Sequence, residues 1–469
     1  MDAARIFVDG RWLASASQET IEVRNPTTSE VAGVIPAGCA ADSEAAVTAA
    51  RRAQPSWAAL PAGERADVIE AAVDAVRPYA EELARLQAIE MGQPIARARE
   101  YTAAALDAVA GAADASRTFA WATDLDGNEG STTRVIRHPY GVGALVMPWN
   151  FPLLVGAESL GGLLATGNTV VFKPSERSPL SAIRLVELLD LPPGVLNLVL
   201  GDVRSGAPLM EHPDVGIAVL TGSTAAGRAV AAASAAHLRP ALLELGGKDP
   251  VIVDDTVDPQ WAAEQVAHGA FLNTGQICTS MERIYVLDTV AEEFTDALVA
   301  QALALKVGDP MSDDTDLGPL VDERQRRVVA EQVDAAIAQG ARALTGGAVP
   351  EGPATFYPPT VLVDVTDDMA IMREETFGPV APIRAVATFD EALALARDSR
   401  YGLAATILSK DPEHIAAATT IPAAIVWVNE WWGGAEGMAY EPAKSSGVGV
   451  LDGLTSFTTP RVVHVGAEA

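Results

Sequence analysis

Cys278 stands in Gly275-Gln276-Ile277-Cys278-Thr279-Ser280 and is one of two cysteines in the chain, the other being Cys39. A thiolate is the strongest side-chain nucleophile at neutral pH, but a free thiol titrates near about 8.5 and stays mostly protonated unless its site acts on it. Alone, a cysteine more often packs as a small apolar residue, so its neighbours must decide. Two cysteines this distant in sequence give neither a disulfide framework nor metal-ligand spacing. His138, His212, His237, His268, His414 and His464 are scattered singly, without an HExxH pattern, and no metal site is expected. A second chemical signal is Gly222-Ser223-Thr224-Ala225-Ala226-Gly227, which follows the apolar run Ile217–Leu220 and opens a helical stretch. Free backbone N–H groups at such a turn suit a pyrophosphate. The segment lacks the GxGxxG fingerprint, and Arg228 and Ala229 stand where a Walker loop requires Lys and Ser/Thr.

The elements that must position these residues read as α/β. From about Tyr140, the apolar runs Val142–Met147, Thr169–Phe172, Leu196–Leu200, Ile217–Leu220, Ala241–Leu245 and Val251–Val253 read as strands. Helical stretches such as Leu180–Leu189 and Ala225–Ala236 separate them. That alternation predicts βαβ crossovers and a mainly parallel sheet covered on both faces. Upstream, Ser43–Gln54 and Ala66–Glu90 carry apolar residues at helical spacing. Between Arg117 and His138, Asp126-Gly127-Asn128 lies between two runs rich in Thr, Val and Ile and predicts a hairpin with its turn there. After Pro250 a second α/β pattern follows, with helices near Gln260–Leu272 and Ala291–Leu305, a strand at Arg283–Leu287 and a last apolar run at Val462–Val465.

At 469 residues the chain should form two or three packed subdomains. No run of about 18 uncharged apolar residues and no basic-then-apolar leader is visible, so a cytoplasmic protein without a membrane span is expected. A formal net charge of −29 argues against nucleic-acid partners and anionic membrane surfaces.

Six segments stand together in a familiar order: Pro148-Trp149-Asn150-Phe151-Pro152, Phe172-Lys173-Pro174-Ser175-Glu176, Thr221-Gly222-Ser223, Leu243-Glu244-Leu245-Gly246-Gly247-Lys248, Gly275-Gln276-Ile277-Cys278 and Glu374-Glu375-Thr376-Phe377-Gly378-Pro379. Over nearly its whole length the chain resembles the aldehyde dehydrogenase superfamily. The resemblance implies a Rossmann-type cofactor domain over residues 1–116 and 140–246 and an α/β catalytic domain over 247–445. It also implies a β oligomerisation arm and C-terminal segment over 117–139 and 446–469. The implied reaction is NAD(P)-dependent oxidation of an aldehyde to a carboxylic acid through a thioester on Cys278, released by water.

Within it, Asn150 matches the side-chain donor to the oxyanion, beside the Cys278 N–H, and Glu244 matches the general base for deacylation. Met147, Pro148, Trp149, Lys173, Glu176, Gly222, Ser223, Leu245, Gly246, Glu375 and Phe377 match cofactor positions. A carboxylate at Glu176 accepts from a ribose 2′-OH and repels a 2′-phosphate, which favours NAD while leaving NADP open. Phe151, Glu158, Trp432 and Tyr440 fall on the aldehyde tunnel. A carboxylate with aromatic faces would suit a cationic aldehyde, the plainer alternative being a structural ion pair at Glu158. The sequence departs where relatives commonly read Pro-Phe-Gly-Gly before Lys444: here it is Ala439-Tyr440-Glu441-Pro442, and the tail after it is shortened. A homodimer or homotetramer is implied, with the arm and the C-terminal run pairing across subunits. Two other functions are open at this point: a CoA-dependent acylating enzyme, against which Glu244 argues, and a non-catalytic scaffold.

Overall fold

The computed structural model describes residues 5–126, 131–352, 354–435 and 437–466. Five parallel strands form the heart of the first sheet, in the order Ala241–Glu244, Val215–Thr221, Val142–Val146, Thr169–Lys173, Leu196–Leu198. Their sequences are mostly apolar, with Val, Leu, Ile, Ala and Phe at the positions packed against the covering helices, because both faces are covered. Leu145, Val170 and Phe172 point to a core shared with helices Ala62–Val76, Ile95–Thr118 and Leu154–Ala165. Val142, Ala144 and Val171 point the other way, against helices Ala40–Ala59 and Thr224–Ala236.

The chain enters this sheet at Val142–Val146, builds outward to one side, then returns to build on the other from Val215–Thr221. The order therefore reverses between those two strands, and a crevice opens beyond their carboxyl ends. Arg5–Val8 and Arg11–Ala14 extend one edge, and Gly447–Val448 closes the other by pairing antiparallel with Leu243 and Glu244.

The second sheet has the order Arg342–Thr345, Thr360–Val363, Val380–Val386, Met281–Leu287, Asp249–Val253, Ala404–Leu408, Ile425–Val428, parallel except for its first strand. Helices Pro259–Phe271 and Asp288–Ala304 cover one face; Glu323–Ala338 and Phe389–Arg397 cover the other.

The structure corrects one expectation and adds two findings. Ala66–Glu90 is not one helix: Pro78, which has no N–H to give, sits in the turn Arg77–Tyr79 between Ala62–Val76 and Ala80–Met91. Ile95–Thr118 is a 24-residue helix whose buried face mixes Ala98, Ala105 and Ala113 with Thr102 and Ser116 among its larger apolar residues, which leaves a weak trace in a hydrophobic pattern. The C-terminal run does not reserve itself for another subunit. Thr458–Val465 pairs antiparallel with Thr132–Pro139 of the same chain, and Thr132–Pro139 pairs on its other side with Ala122–Asp126. Gly127 and Asn128, at the expected turn, lie outside the described residues. Among the described residues no helix is long and apolar enough to cross a membrane.

Candidate active site

Loops at the carboxyl end of the first sheet meet loops that lead into the second. Met147 to Phe151 follow Val142–Val146, Gly222 and Ser223 follow Val215–Thr221, and Glu244 ends Ala241–Glu244. Opposite them, Cys278 precedes Met281–Leu287, and Glu375 and Phe377 precede Val380–Val386. The two sides touch through named bonds. Asn150 Nδ2 donates to the Gln276 carbonyl at 2.9 Å, Gly247 N donates to Glu375 Oε1 at 2.9 Å, and the Trp149 and Phe377 rings meet edge-on at 5.2 Å.

The loop before Cys278 is bent by Asn273, Thr274 and Gly275, all left-handed, with φ of 52°, 58° and 68°. Non-glycine residues resist that conformation by about 1–2 kcal/mol each, so the turn must be held from outside. Asn273 Nδ2 donates to the Asn150 carbonyl at 3.1 Å, Thr274 Oγ1 to Gly318 O at 3.0 Å, and Val321 N to Gln276 Oε1 at 2.9 Å. A Cβ on Gly275 would lie 2.1 Å from the Gly378 oxygen, so only glycine fits.

Cys278 is half-buried. Burial pushes its thiol well up, and the carboxylates of Glu244, Asp249 and Glu375 push it further. The resting thiol is thus protonated and becomes a nucleophile only when the proton is removed. The Asn150 amide has two N–H groups. One donates to the Gln276 carbonyl, which fixes the amide plane.

Burial also raises the Glu244 carboxyl, and the negative charge of Glu158 adds to this; hydrogen bonds from Tyr440 and Thr221 oppose it. Tyr440 Oη donates to Glu244 Oε1. Glu158, on the helix Leu154–Ala165, is exposed, and among the described residues neither an ion pair nor a hydrogen bond holds it. Phe151 packs edge-on to Tyr101 at 5.2 Å and to Trp432 at 5.8 Å, and Trp432 remains half open to solvent. Tyr101 belongs to the helix whose mixed buried face hid it, and its proximity in sequence to no motif gave no signal.

On the cofactor side, Ser223 caps helix Thr224–Ala236 by accepting from Ala226 N at 3.2 Å. This turn lies at the point of reversal in the sheet. Lys173 is buried, bonds the Pro174 carbonyl at 3.0 Å and lies 4.0 Å from Glu176, whose side chain is partly exposed. Burial lowers the Lys173 ammonium, which weakens it as a counter-charge to a 2′-phosphate. Leu245 is fixed by its N–H to the Ser446 carbonyl at 2.8 Å. A Cβ on Gly246 would stand 2.5 Å from a Glu375 carboxylate oxygen, so the backbone there is bare where that carboxylate turns inward. Burial raises Glu375 to about 8, with the Glu282 charge adding to it. These groups fit a dinucleotide: backbone donors at a helix start, an acceptor for each ribose and an aromatic pair.

Sequence reasoning missed the residues that hold these in place. Glu282 accepts from Thr376 N at 2.8 Å and Phe377 N at 2.7 Å, which holds Phe377 at φ 53°; Lys248 Nζ neutralises Glu282 at 2.7 Å. Arg177 lies 4.5 Å over the Trp149 ring and forks onto Asp322, with Nε 2.6 Å from Oδ2. Lys248, the last residue of the Leu-Glu-Leu-Gly-Gly-Lys segment, carried the one available signal.

Comparison with known proteins gives the family. The model of the aldehyde dehydrogenase family matches residues 12–463. The chain is 37% identical over 443 residues to aminoaldehyde dehydrogenase 1, peroxisomal, of Malus domestica, covering 90% of this chain and 87% of that one. Lactaldehyde dehydrogenase from Escherichia coli superposes with a TM-score of 0.95 at 34% identity over 99% of both chains. Betaine aldehyde dehydrogenase from Staphylococcus aureus, solved in complex with NAD+, gives 0.95 at 30% identity over 99% of this chain and 95% of that one. The chain belongs to the aldehyde dehydrogenase family and is an NAD(P)-dependent oxidoreductase that converts an aldehyde to a carboxylic acid.

Proposed function

We propose that Cys278 is the nucleophile, Asn150 the oxyanion donor and Glu244 the general base, and that the aldehyde carries an amino or other cationic group. Once deprotonated, Cys278 Sγ adds to the aldehyde carbon, and the carbonyl oxygen becomes an oxyanion facing the Cys278 N–H and the other Asn150 N–H. NAD(P), when bound, would supply the acceptor for the hydride lost from that carbon. Trp149, Glu375 and Phe377 would hold the nicotinamide end; Lys173, Glu176, Gly222, Ser223, Leu245 and Gly246 would hold the rest, within the cofactor domain expected over 1–116 and 140–246. The thioester left on sulfur is attacked by water as Glu244 takes a water proton; the C–S bond breaks with its electron pair on sulfur, Glu244 passes its proton to that thiolate, and the acid leaves.

The observation that carries the substrate class is Glu158. It is an unpaired carboxylate among the described residues, its charge reaches both Glu244 and Tyr440, and the chain also gathers Phe151, Tyr101 and Trp432 into one aromatic group. A cation above aromatic faces and near a carboxylate gains from both. Similarity to an aminoaldehyde dehydrogenase and a betaine aldehyde dehydrogenase supports the same class. An aminoaldehyde should show roughly tenfold higher kcat/KM than an uncharged aldehyde of equal length, a margin that one partly solvated charge pair supplies. Glu158→Gln should remove it. Equal kcat/KM for both aldehydes, or a preference that survives Glu158→Gln, rejects the cationic substrate.

NAD over NADP rests on Glu176 and is read by running both cofactors in parallel. Both cysteines are free, which suits a reducing compartment such as the cytoplasm. Recovery of the activity in an organelle fraction would reject that placement. A homodimer or homotetramer built through the arm and C-terminal segment, 117–139 and 446–469, completes the proposal.

A further inference from the structure

The C-terminal segment is fastened to the strand that carries Glu244. Gly447 pairs with Glu244 and Val448 with Leu243, while Leu245 N donates to Ser446 O at 2.8 Å. On the far side of this anchor, Tyr440 N donates to Leu451 O at 3.1 Å and Leu451 N to Tyr440 O at 2.8 Å. Tyr440 is thereby fixed at both its backbone groups, and its hydroxyl reaches Glu244 Oε1. It stands where the sequence departs from the Pro-Phe-Gly-Gly common in relatives, and phenylalanine has no hydroxyl to give.

Resting on the assignment of Glu244 as the deacylating base, we propose that Tyr440 is a positioning residue for it: the phenol occupies Oε1, keeps the carboxylate ionised in a half-buried place, and presents Oε2 to the attacking water. Tyr440 neither gains nor loses a proton. Water gives one proton to Glu244 and its oxygen to the thioester carbon, the C–S bond breaks, and the phenol hydrogen bond stays with the carboxyl throughout. The groups facing Glu244 are Tyr440, Thr221, Glu158 and Cys278. Burial and Glu158 oppose its ionisation; Tyr440 and Thr221 favour it. Losing the phenol removes the larger of the two favourable contacts, so the proton leaves Glu244 only at higher pH.

The test follows the acyl adduct on Cys278 by intact mass after quenching a single turnover, across pH 6 to 10, alongside the NADH burst. In Tyr440→Phe the burst is read at saturating aldehyde, since Tyr440 also lines the tunnel; NADH should still be released there, because the first half-reaction does not use Glu244 as base. The acid limb of adduct decay should move up by about one pH unit, the displacement that one charge-assisted hydrogen bond supports. Tyr440→Trp, which keeps an aromatic body without the phenol, should move it the same way. In Glu244→Gln, adding Tyr440→Phe should change the decay by less than twofold. An acid limb that stays in place in Tyr440→Phe, with a normal burst, overturns the role of Tyr440 while leaving the cysteine chemistry intact. Native enzyme that forms neither burst nor adduct would instead take down the assignment of Cys278 and Glu244.

Discussion

A half-buried thiol surrounded by three carboxylates is a poor nucleophile at rest, and this constrains how Cys278 must behave. Its value lies well above the ordinary 9.0, with burial as the main cause. The thiolate fraction then rises about tenfold per pH unit throughout the range below that value. Alkylation of the cofactor-free enzyme by iodoacetamide should therefore accelerate with a slope near one in log rate up to pH 9, and a plateau near pH 7 would refute the protonated resting state. Downstream of the thiol, Asn150→Ala should lower kcat by about 10²–10³, the usual loss for one oxyanion donor. It should also loosen the Gln276 carbonyl that the amide holds. Glu244→Gln should slow turnover by about 10²–10⁴ yet preserve the first burst of NADH, since only deacylation uses the base. These three residues were legible because each sits inside a short segment whose neighbours are diagnostic. Glu282 and Arg177 were not, because their partners Phe377 and Asp322 lie far along the chain and only folding reveals the pairing.

Elements carry two further consequences. The left-handed turn Asn273–Gly275 was invisible as pattern, since Leu-Asn-Thr-Gly reads as an ordinary helix end, and it exists only because Asn150, Gly318 and Val321 bond to it. Gly275→Ala places a methyl against the Gly378 oxygen, so it should displace Cys278 and lower kcat by about 10²-fold, the scale of a misplacement near 1 Å. Wild-type activity in that variant would show the loop to be free. The second concerns Glu90, buried under helix Leu180–Leu188, where it accepts from Leu180 N and from Ser181 N and Oγ. Burial nevertheless raises its carboxyl from 4.5 to about 7. A raised folded value means that its stabilising contribution is complete below pH 4.5 and is lost as pH climbs through about 7. The loss amounts to about 3 kcal/mol. Between pH 5 and 8 the stability difference between wild type and Glu90→Gln, from chemical denaturation, should shift toward the Gln variant by up to that amount; a constant difference would sink it. The parallel strands were plain in the sequence because burial on both faces writes itself as mostly apolar runs. The helix Ile95–Thr118 was not, because its buried face mixes alanine, Thr102 and Ser116 with the larger apolar residues.

At the scale of the molecule, the three-stranded arm ends in an open edge. Among the described residues Thr458–Val465 is an eight-residue strand bonded on one side only; beside Pro460, Arg461 and His464 it carries Val462 and Val465, 64% and 59% exposed. A long apolar edge strand invites pairing, and natural proteins cover such edges or charge them. This one carries valines in a chain whose net charge is −29. Two copies that approach must overcome that repulsion, so an assembly driven by the arm rests on apolar burial and should tighten as salt screens the charge. Light scattering should find a homodimer or homotetramer whose dissociation constant falls between 20 and 200 mM salt. Val463→Lys with Val465→Lys separates the two forces. The lysines make each chain less acidic, which by charge alone would strengthen association, yet they put ammonium groups on the apolar edge and should break the assembly into smaller species. A native monomer, or a lysine pair that assembles more tightly than wild type, would place the subunit contact elsewhere than on this strand.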